Sequence, residues 1–231
     1  MKSVRICIFI ISLLFGVAGF SQEEIPADSL VYPEQYGVRV GVDLSKPIRS
    51  LLDENYSGFE ILGDYRLYED YYVAVEIGNE RFLYNEPNLT AETNGSYFKI
   101  GANYNAYDNW LGMQNSIFVG LRYGGASFSE TLGHYAIYTG SDYFDPDVKT
   151  PNQEYSGLTA SWLEFQAGIK VEVLHNVYLG LYAQLKRRLN QQTPTGFDNL
   201  YIPGFGKTYE RSKFGAGWGY SISYFIPIYS K

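Results

Sequence analysis

Nucleophilic catalysis needs a hydroxyl or thiol with a base in reach, and one segment of the chain holds suitable residue types. His134 lies in SETLGHYAIYTGSDYFDPD, residues 129–147, and is followed by Ser141 and Asp142. These residues could supply the base, the nucleophile and the orienting carboxylate of a lipid hydrolase or acyltransferase. Their spacing matches no lipid-hydrolase motif, and Ser and Asp are ordinary loop residues. A lipid-modifying enzyme that uses His134 is therefore an alternative interpretation of the chain.

The same segment could bind a divalent cation through carboxylate oxygens. Asp142, Asp145 and Asp147 are close in sequence, but their spacing is not that of an EF-hand. Acidic residues around a proline are more typical of a solvated turn. The alternating glycines within 215–219 suit a curved strand and do not form a phosphate-binding loop. We therefore predict neither a metal nor an organic cofactor.

The N-terminus has the layout of a secretory signal peptide. Lys2 and Arg5 form a positive region, an apolar run over 6–15 follows, and Gly19 and Ser21 are small residues before a cleavage site. The apolar run is short for a membrane-spanning helix, which needs about 20 residues. The predicted organisation is a signal peptide at 1–21, a flexible leader at 22–35 and one domain at 36–231.

The composition restricts the class of the mature protein. Loss of Lys2 and Arg5 with the signal peptide changes the formal net charge from −7 to −9, which argues against nucleic acid as a partner. The 23 Tyr and 24 Gly favour β structure, because Tyr fits a pleated surface and Gly fits turns and curvature. Cys7 is the only cysteine, so the mature chain has no disulfide.

From Tyr36 onward, apolar and polar residues alternate with a period of two, which predicts β-strands. WLEFQAGIKVEV, residues 162–173, is the clearest case, because its alternate residues from Leu163 to Val173 are all apolar. A helix through Leu163 would instead place Lys170 in its apolar stripe. The predicted strands, eight in number, span about 36–46, 58–68, 71–83, 96–107, 115–128, 159–173, 176–188 and 212–229.

The connections between these strands alternate between short and long. In an up-and-down barrel, this alternation places every short turn at one rim and every long loop at the other. The predicted short turns are 69–70, 108–112 and 174–176, and the predicted long loops are 47–57, 84–95, 129–158 and 189–211.

Two architectures share this pattern. A soluble, lipocalin-like carrier turns its apolar face inward around a ligand, whereas an outer-membrane barrel turns it outward into lipid. Short periplasmic turns and long extracellular loops are typical of the second architecture. The charges on the polar face, seven basic and six acidic, nearly cancel, which suits a narrow lumen where ions must pair. The predicted lumen network is Arg39, Asp43, Glu60, Asp64, Arg66, Glu76, Lys99, Arg122, Glu164, Lys170, Glu172, Lys186 and Arg188.

Within this network, the three charged residues of the sixth strand have predicted partners. We expect Glu164, Lys170 and Glu172 to point into the lumen and to pair within a set formed by Lys186, Arg188 and Arg39. Large aromatic residues near the strand ends are interpreted as girdles at the two membrane–water boundaries. The predicted girdle residues are Trp110, Trp162, Trp218, Tyr71, Tyr178, Tyr224 and Tyr229.

The C-terminal segment GWGYSISYFIPIYSK resembles the aromatic-rich last strand of outer-membrane barrels. It departs from the usual form because Ser230 and Lys231 follow the last aromatic residue, Tyr229, and because Pro227 removes one strand hydrogen-bond donor. Together with the signal peptide and the strand pattern, it makes 36–231 resemble the small eight-stranded outer-membrane barrels of Gram-negative bacteria. The resemblance implies insertion by the barrel-assembly machinery and contact with outer-membrane lipid.

The sequence therefore predicts an all-β protein, an eight-stranded antiparallel up-and-down transmembrane β-barrel in the cell outer membrane. Long side chains fill a barrel of this size, so a wide channel is not expected. We predict a non-enzymatic role, structural or in surface interaction, with a possible surface partner at loops 129–158 and 189–211. A lipid-modifying enzyme is the first alternative, and a soluble lipocalin-like carrier is the second.

Overall fold

The computed structural model describes residues 35–107, 114–137 and 147–230, which are almost entirely antiparallel β-structure. One short helix interrupts the strands, and most of the long strands contain many of the β-branched and aromatic residues that favour extended backbone. The elements are β1 (Gln35–Asp43), α1 (Ser45–Leu52), β2 (Tyr56–Tyr68), β3 (Tyr71–Glu86), β4 (Leu89–Asn105), β5 (Ser116–Ile137), β6 (Asp147–Lys149), β7 (Gln153–Leu174), β8 (Val177–Gln191), β9 (Tyr201–Ile202), β10 (Gly206–Lys207) and β11 (Phe214–Ser230).

The eight long strands form a closed barrel. Each pairs antiparallel with the next one along the chain, in the order β1, β2, β3, β4, β5, β7, β8 and β11. The ring closes where β1 pairs with β11, from Gln35 opposite Ser230 to Asp43 opposite Ser221. The predicted eight-stranded antiparallel up-and-down barrel is therefore confirmed. No helix among the described residues is long and apolar enough to span a membrane.

The apolar residues of the strands face outward. On β7 the outward side chains from Leu163 to Val173 are exposed apolar residues, apart from the small Ala167, while Glu164 and Gln166 between them are buried in the lumen. The same arrangement recurs around the ring, since every long strand exposes at least one large apolar residue. The barrel is thus the inverse of a soluble one, with charged residues inside and apolar residues outside. We call the outward apolar band the belt, and on β5 it extends over Ile117–Tyr123.

Two of the short turns contain residues with left-handed backbone. Asn176 has a φ of 63° between β7 and β8, and Glu69 has a φ of 37° between β2 and β3. Asn tolerates this conformation well, which favours the tight hairpin there. The predicted turn 108–112, including Trp110, lies outside the described residues. We call this rim of the barrel the short-turn end and the opposite rim the long-loop end.

The long-loop end is more regular than the sequence predicts. The predicted loop at 84–95 is wrong, because β3 continues to Glu86 and β4 starts at Leu89, with only a two-residue turn between them. Likewise, β5 and β7 extend into the predicted loop 129–158. The alternation fades in these segments because the strands have passed beyond the belt, where outward residues no longer need to be apolar. Backbone pairing continues there without that signal.

The other two predicted loops also contain regular structure. Helix α1 occupies part of 47–57 and is amphipathic, with none of its residues fully buried. Within 189–211, β9 and β10 form a small hairpin of their own. This hairpin and the turn between them, Tyr201–Lys207, fold into the mouth of the barrel, and we call it the plug. Its residues Tyr201 to Phe205 are buried.

Candidate functional site

The centre of the lumen is a network of buried charges around Lys99. The Nζ atom of Lys99 lies 2.6 Å from a carboxylate oxygen of Glu76, 3.1 Å from Glu60 and 3.7 Å from Glu164. Arg122 adds a second cation, with its Nε 3.3 Å from Glu76. These side chains are almost completely shielded from solvent. Because an unpaired buried charge costs several kcal/mol, this mutual pairing is a condition for filling the lumen with ions.

A second group of charges lies toward the short-turn end. Asp64 pairs with Arg39 at 3.4 Å and also accepts a hydrogen bond from the Lys170 ammonium. The guanidinium of Arg39 stacks over the ring of Tyr178, 4.5 Å from its centroid. Arg39 therefore has an anion on one side and an aromatic face on the other, an arrangement that suits a planar guanidinium. Long side chains and rings leave little free volume in this half of the lumen.

The structure brings most of the predicted lumen residues together. Ten of the thirteen are buried, and Lys170, Glu172 and Arg188 are half-buried. Asp43 accepts a hydrogen bond of 2.5 Å from Tyr182, and Arg66 donates to the carbonyl of Glu69. The alternation of the strands is sufficient to bring these residues to one side, since side chains of period two share a face.

The predicted pairs of the sixth strand agree with the structure only in part. Glu164 does approach Lys186, at 3.8 Å, but Lys170 pairs with Asp64. Glu172 has no ion pair among the described residues. It accepts hydrogen bonds from the backbone N–H of Asn176 at 2.8 Å and from the Tyr178 hydroxyl at 3.2 Å. Strand alternation specifies the face of a residue, whereas the partner depends on the stagger between strands across the lumen.

Two predicted girdle residues lie inside the barrel instead of at its boundary. Trp162 has no exposed surface, and its Nε1 donates a hydrogen bond of 3.2 Å to Glu164. Tyr178 is also buried, against Arg39. The girdle prediction for both is wrong, because they occupy inward positions of their strands. Trp218, by contrast, faces outward and is 70% exposed.

The plug is attached to the barrel wall by polar contacts. The carboxylate of Glu80 on β3 accepts hydrogen bonds from the Tyr201 hydroxyl at 2.7 Å and from the Gly204 N–H at 2.9 Å. On the opposite wall, Lys186 donates to the Gly204 carbonyl at 2.7 Å. Gly204 itself has a φ of +77°, and a Cβ there would lie 2.5 Å from the ring of Tyr97. Only glycine therefore fits this close approach.

Apolar contacts secure the plug as well. Ile202 and Phe205 are buried in a cluster with Trp162 and other side chains from the upper lumen. The Phe205 ring meets the Trp162 ring edge to face, with centroids 6.0 Å apart. The sequence pattern did not predict the contact of Trp162 with the plug, nor the contact between Glu80 and Tyr201. The apolar run YIPGF inside an otherwise polar loop was the available signal.

The protonation states of Tyr201 and Lys46 favour their contacts with Glu80. Burial and the neighbouring Glu80 carboxylate hold the pKa of Tyr201 well above its usual value, so its hydroxyl keeps the proton that it donates. Burial lowers the pKa of Lys46 on α1, but the carboxylates of Glu80 and Glu60 outweigh that effect and raise it overall. Lys46 therefore remains an ammonium ion and pairs with Glu80.

The structure describes only some of the candidate catalytic and metal residues. His134 lies on strand β5, opposite Thr90 of β4, and not in a loop. Among the described residues, no side chain hydrogen-bonds to its imidazole. Ser141, Asp142 and Asp145 lie outside the described residues. Asp147 is exposed and pairs with Lys149 at 2.9 Å, and no group of acidic, His or Cys residues in the described ranges could hold a metal ion.

The chain has similarity to solved structures of two other proteins. A solved structure of Neisserial surface protein A shares 12% identity, with 83% of this chain and 95% of that chain covered and a TM-score of 0.43. The attachment invasion locus protein of Yersinia pestis, Ail, shares 12% identity, with 83% and 98% covered and a TM-score of 0.40. One of its structures is a complex with the heparin analogue sucrose octasulfate. A search of curated proteins finds no match.

A family model matches the chain over its whole length, residues 1–231. Its description is Domain of unknown function (DUF6048), and the chain belongs to this family.

Proposed function

We propose that this chain is a non-enzymatic barrel of the outer membrane whose role is structural or in surface interaction. The observation that carries the proposal is the combination of an outward apolar belt with a lumen that is filled by charges and plugged at one end. The belt supports a lipid environment, and the filled lumen argues against transport of a solute. The long-loop end is then the surface that remains available for contacts.

The dimensions of the belt support the membrane part of this proposal. On β7 the outward apolar residues extend from Leu163 to Val173, eleven positions along the strand. At about 3.3 Å per residue and a tilt of about 40°, this run spans roughly 25 Å. That height is typical of the apolar band of outer-membrane barrels. We infer that residues 1–21 are a cleaved export signal, which intact mass measurement of the mature protein tests directly.

The filled lumen supports a closed barrel. An eight-stranded ring has an interior just wide enough for side chains. Here Lys99, Arg122 and their carboxylate partners occupy the centre, and the plug occupies the long-loop end. We therefore expect no ion conductance above background in planar bilayers. A stable conductance from folded protein would contradict this part of the proposal.

The surface-interaction part rests on what the long-loop end exposes. The described part of loop 129–158 carries exposed Asp147, Lys149 and Glu154, and loop 189–211 exposes Tyr209 and Glu210. The plug is not available for a partner, because Tyr201 to Phe205 are buried. A partner would therefore meet the flanks of this loop and the residues around Asp147.

Cell fractionation with gel mobility tests the proposal. The protein should be found in the outer-membrane fraction, and an unboiled sample should migrate differently from a boiled one because a folded barrel resists detergent. Recovery in the aqueous fraction without a heat-dependent shift would overturn the membrane assignment. Deletion of 147–152, which lies beyond the belt, should retain the heat shift and reduce binding to host or bacterial surfaces. Unchanged binding would remove this loop from the interaction surface.

A further inference from the structure

The barrel wall is interrupted at the long-loop end, between β2 and β11. Strand β1 pairs with β11 only as far as Asp43 opposite Ser221, followed by one hydrogen bond of 2.8 Å from the Leu44 N–H to the Tyr220 carbonyl. Beyond it, residues 214–219 of β11 pair with β8 on one side. On their other side they have no backbone partner among the described residues. The pairing of β1 with β2 also ends, at Val42 opposite Ile61.

Helix α1 lies in this interruption but is attached to one side of it. The Gly58 N–H of β2 donates to Ser50 Oγ at 2.9 Å, and the Arg49 guanidinium lies 3.8 Å above the ring of Tyr56. Leu51 and Leu52 are 85% and 82% exposed. An amphipathic helix with apolar residues outside and basic residues inside is suited to the headgroup level of a membrane. Among the described residues no hydrogen bond joins residues 45–52 of α1 to β11, so hydrogen bonding does not close the side of the gap next to β11.

A cleft of about 440 Å³ fills the space between α1, the plug and the free edge of β11. Three basic residues, Lys46, Arg49 and Lys186, contribute to its lining, against a single carboxylate, Glu80. That carboxylate is already shared by the Tyr56 hydroxyl, the Tyr201 hydroxyl and the Gly204 N–H. Basic residues thus outnumber acidic ones in the lining, although each has a carboxylate partner: Lys46 pairs with Glu80, Arg49 lies 3.4 Å from Asp53 and Lys186 lies 3.8 Å from Glu164. At its outer rim the exposed indole of Trp218 continues onto the belt.

We propose that this cleft is a binding site for a phosphate-bearing membrane lipid. Its phosphate would contact Lys46 and Arg49, and its acyl chain would leave the barrel through the open side, across Trp218. Charge complementarity carries the choice of occupant, because basic groups and an apolar exit meet in one cleft. The open edge of β11 adds backbone N–H groups that have no backbone partner among the described residues and are able to donate to lipid oxygens. The proposal rests on the membrane location proposed above.

Arg49 is the residue through which the site is best tested. Its ion pair with Asp53, at 3.4 Å, is partly exposed and so leaves the guanidinium able to contact a second anion. A planar guanidinium binds phosphate through two parallel hydrogen bonds. Lys46 is less suitable, since its loss would leave Glu80 buried without its cation.

Quenching of tryptophan fluorescence by brominated lipid measures occupancy of the cleft. The mature chain is reconstituted in phosphatidylcholine bilayers that contain a small fraction of brominated phosphatidylglycerol or brominated phosphatidylcholine. The Trp218 signal is the difference between the native chain and Trp218→Phe. We expect phosphatidylglycerol to quench Trp218 more strongly than phosphatidylcholine at the same fraction. Arg49→Gln should lower this preference about fivefold, since one basic residue contributes about 1 kcal/mol toward an anionic lipid surface.

Arg187→Gln is the matched control, because Arg187 is an exposed outward residue opposite Phe214 and does not line the cleft. Its preference for phosphatidylglycerol should remain. Equal quenching of the Trp218 signal by the two lipids would overturn the proposal, and this comparison requires no variant other than Trp218→Phe to fold. An equal loss of preference in Arg187→Gln would indicate general attraction of anionic lipid instead. Displacement of the lipid by excess inorganic phosphate would indicate a site for a free anion.

The heat-dependent gel shift of the same samples separates the two proposals. If the gel shift is present but phosphatidylglycerol is not preferred, the lipid-site proposal is wrong and the membrane-barrel proposal stands. A sample without the shift contradicts the proposed function itself.

Discussion

The hydroxyl of Tyr201 donates a hydrogen bond of 2.7 Å to the carboxylate of Glu80, although 121 residues separate the two. The same carboxylate accepts from the Tyr56 hydroxyl and pairs with Lys46 of α1. One buried acid on β3 thus joins the barrel wall, the helix and the plug. Each contact depends on the others, because a buried carboxylate must keep enough donors to remain charged.

Removal of the Tyr201 hydroxyl should loosen the plug. Tyr201→Phe retains the ring stacked on Phe82, with centroids 4.7 Å apart, but removes the hydrogen bond to Glu80. A hydrogen bond to a charged group contributes about 1.5–3 kcal/mol. We expect amide hydrogen exchange in 199–207 to accelerate about tenfold or more in mass spectrometry. Tyr209→Phe, in the exposed part of the same loop, should change nothing, and equal exchange in both variants would contradict the role of Tyr201.

Loss of the central cation should destabilise the barrel strongly. Lys99→Met leaves Glu60, Glu76 and Glu164 with a smaller share of positive charge in a buried space. Removal of one partner from a buried pair costs about 3–5 kcal/mol. The midpoint of urea unfolding should fall accordingly. Lys149→Met, which breaks the exposed pair with Asp147, should change the free energy of unfolding by less than about 1 kcal/mol. Similar shifts in both variants would show that the lumen network is not needed for stability.

A charge on the belt should cost more than a charge in the lumen. Leu181 on β8 is outward and 52% exposed, whereas Gln184 on the same strand lines the cleft inside. Leu181→Arg should lower the free energy of unfolding in bilayers by about 2–4 kcal/mol, because in the proposed membrane location the side chain enters the bilayer near its middle. Gln184→Arg should lower it much less. Equal costs would show that the inward and outward faces are misassigned.

The stability of the plug should depend on pH through Glu130. This residue lies on β5 beyond the belt, where the outward face has become polar at Ser127 and Ser129. Its side chain is buried, one carboxylate oxygen accepts from the Leu200 N–H at 3.3 Å, and the other has no hydrogen-bond partner among the described residues. Burial raises the pKa of Glu130 from 4.5 to about 7, although the hydrogen bond from Leu200 opposes the shift.

Because the folded state binds this proton more tightly than the unfolded state does, protonation of Glu130 stabilises the folded state. The contribution of Glu130 to stability is complete below about pH 4.5 and is lost as the pH rises through about 7. The whole change is of the order of 3 kcal/mol. Hydrogen exchange at 199–207 should accelerate over this window in the native chain, and Glu130→Gln should show a flatter profile. Identical pH profiles in the two proteins would exclude Glu130 as the cause.

Alternation along the chain was sufficient to predict the strands and to show which of their residues share a face. Lys99, Glu164 and Arg122 could be placed inside because a strand sends every second side chain to the same face. The sequence also predicted that the polar face lines the lumen, since the near balance of basic and acidic residues suits a closed lumen better than a solvated surface. The connection at 84–95 could not be predicted, because a hairpin that stands outside the belt loses the apolar half of the pattern.

Only the tertiary structure decided how the long-loop end is built. The pairing of Lys170 with Asp64, the burial of Trp162 and the insertion of Tyr201 to Phe205 into the mouth all depend on the stagger between strands around the ring. So does the gap beside β11, which exists because β1 ends at Asp43 while β11 starts at Phe214. Sequence period specifies the face of each strand residue, because that is a local property of extended backbone. The neighbours across the lumen are set by ring closure, which no local pattern encodes.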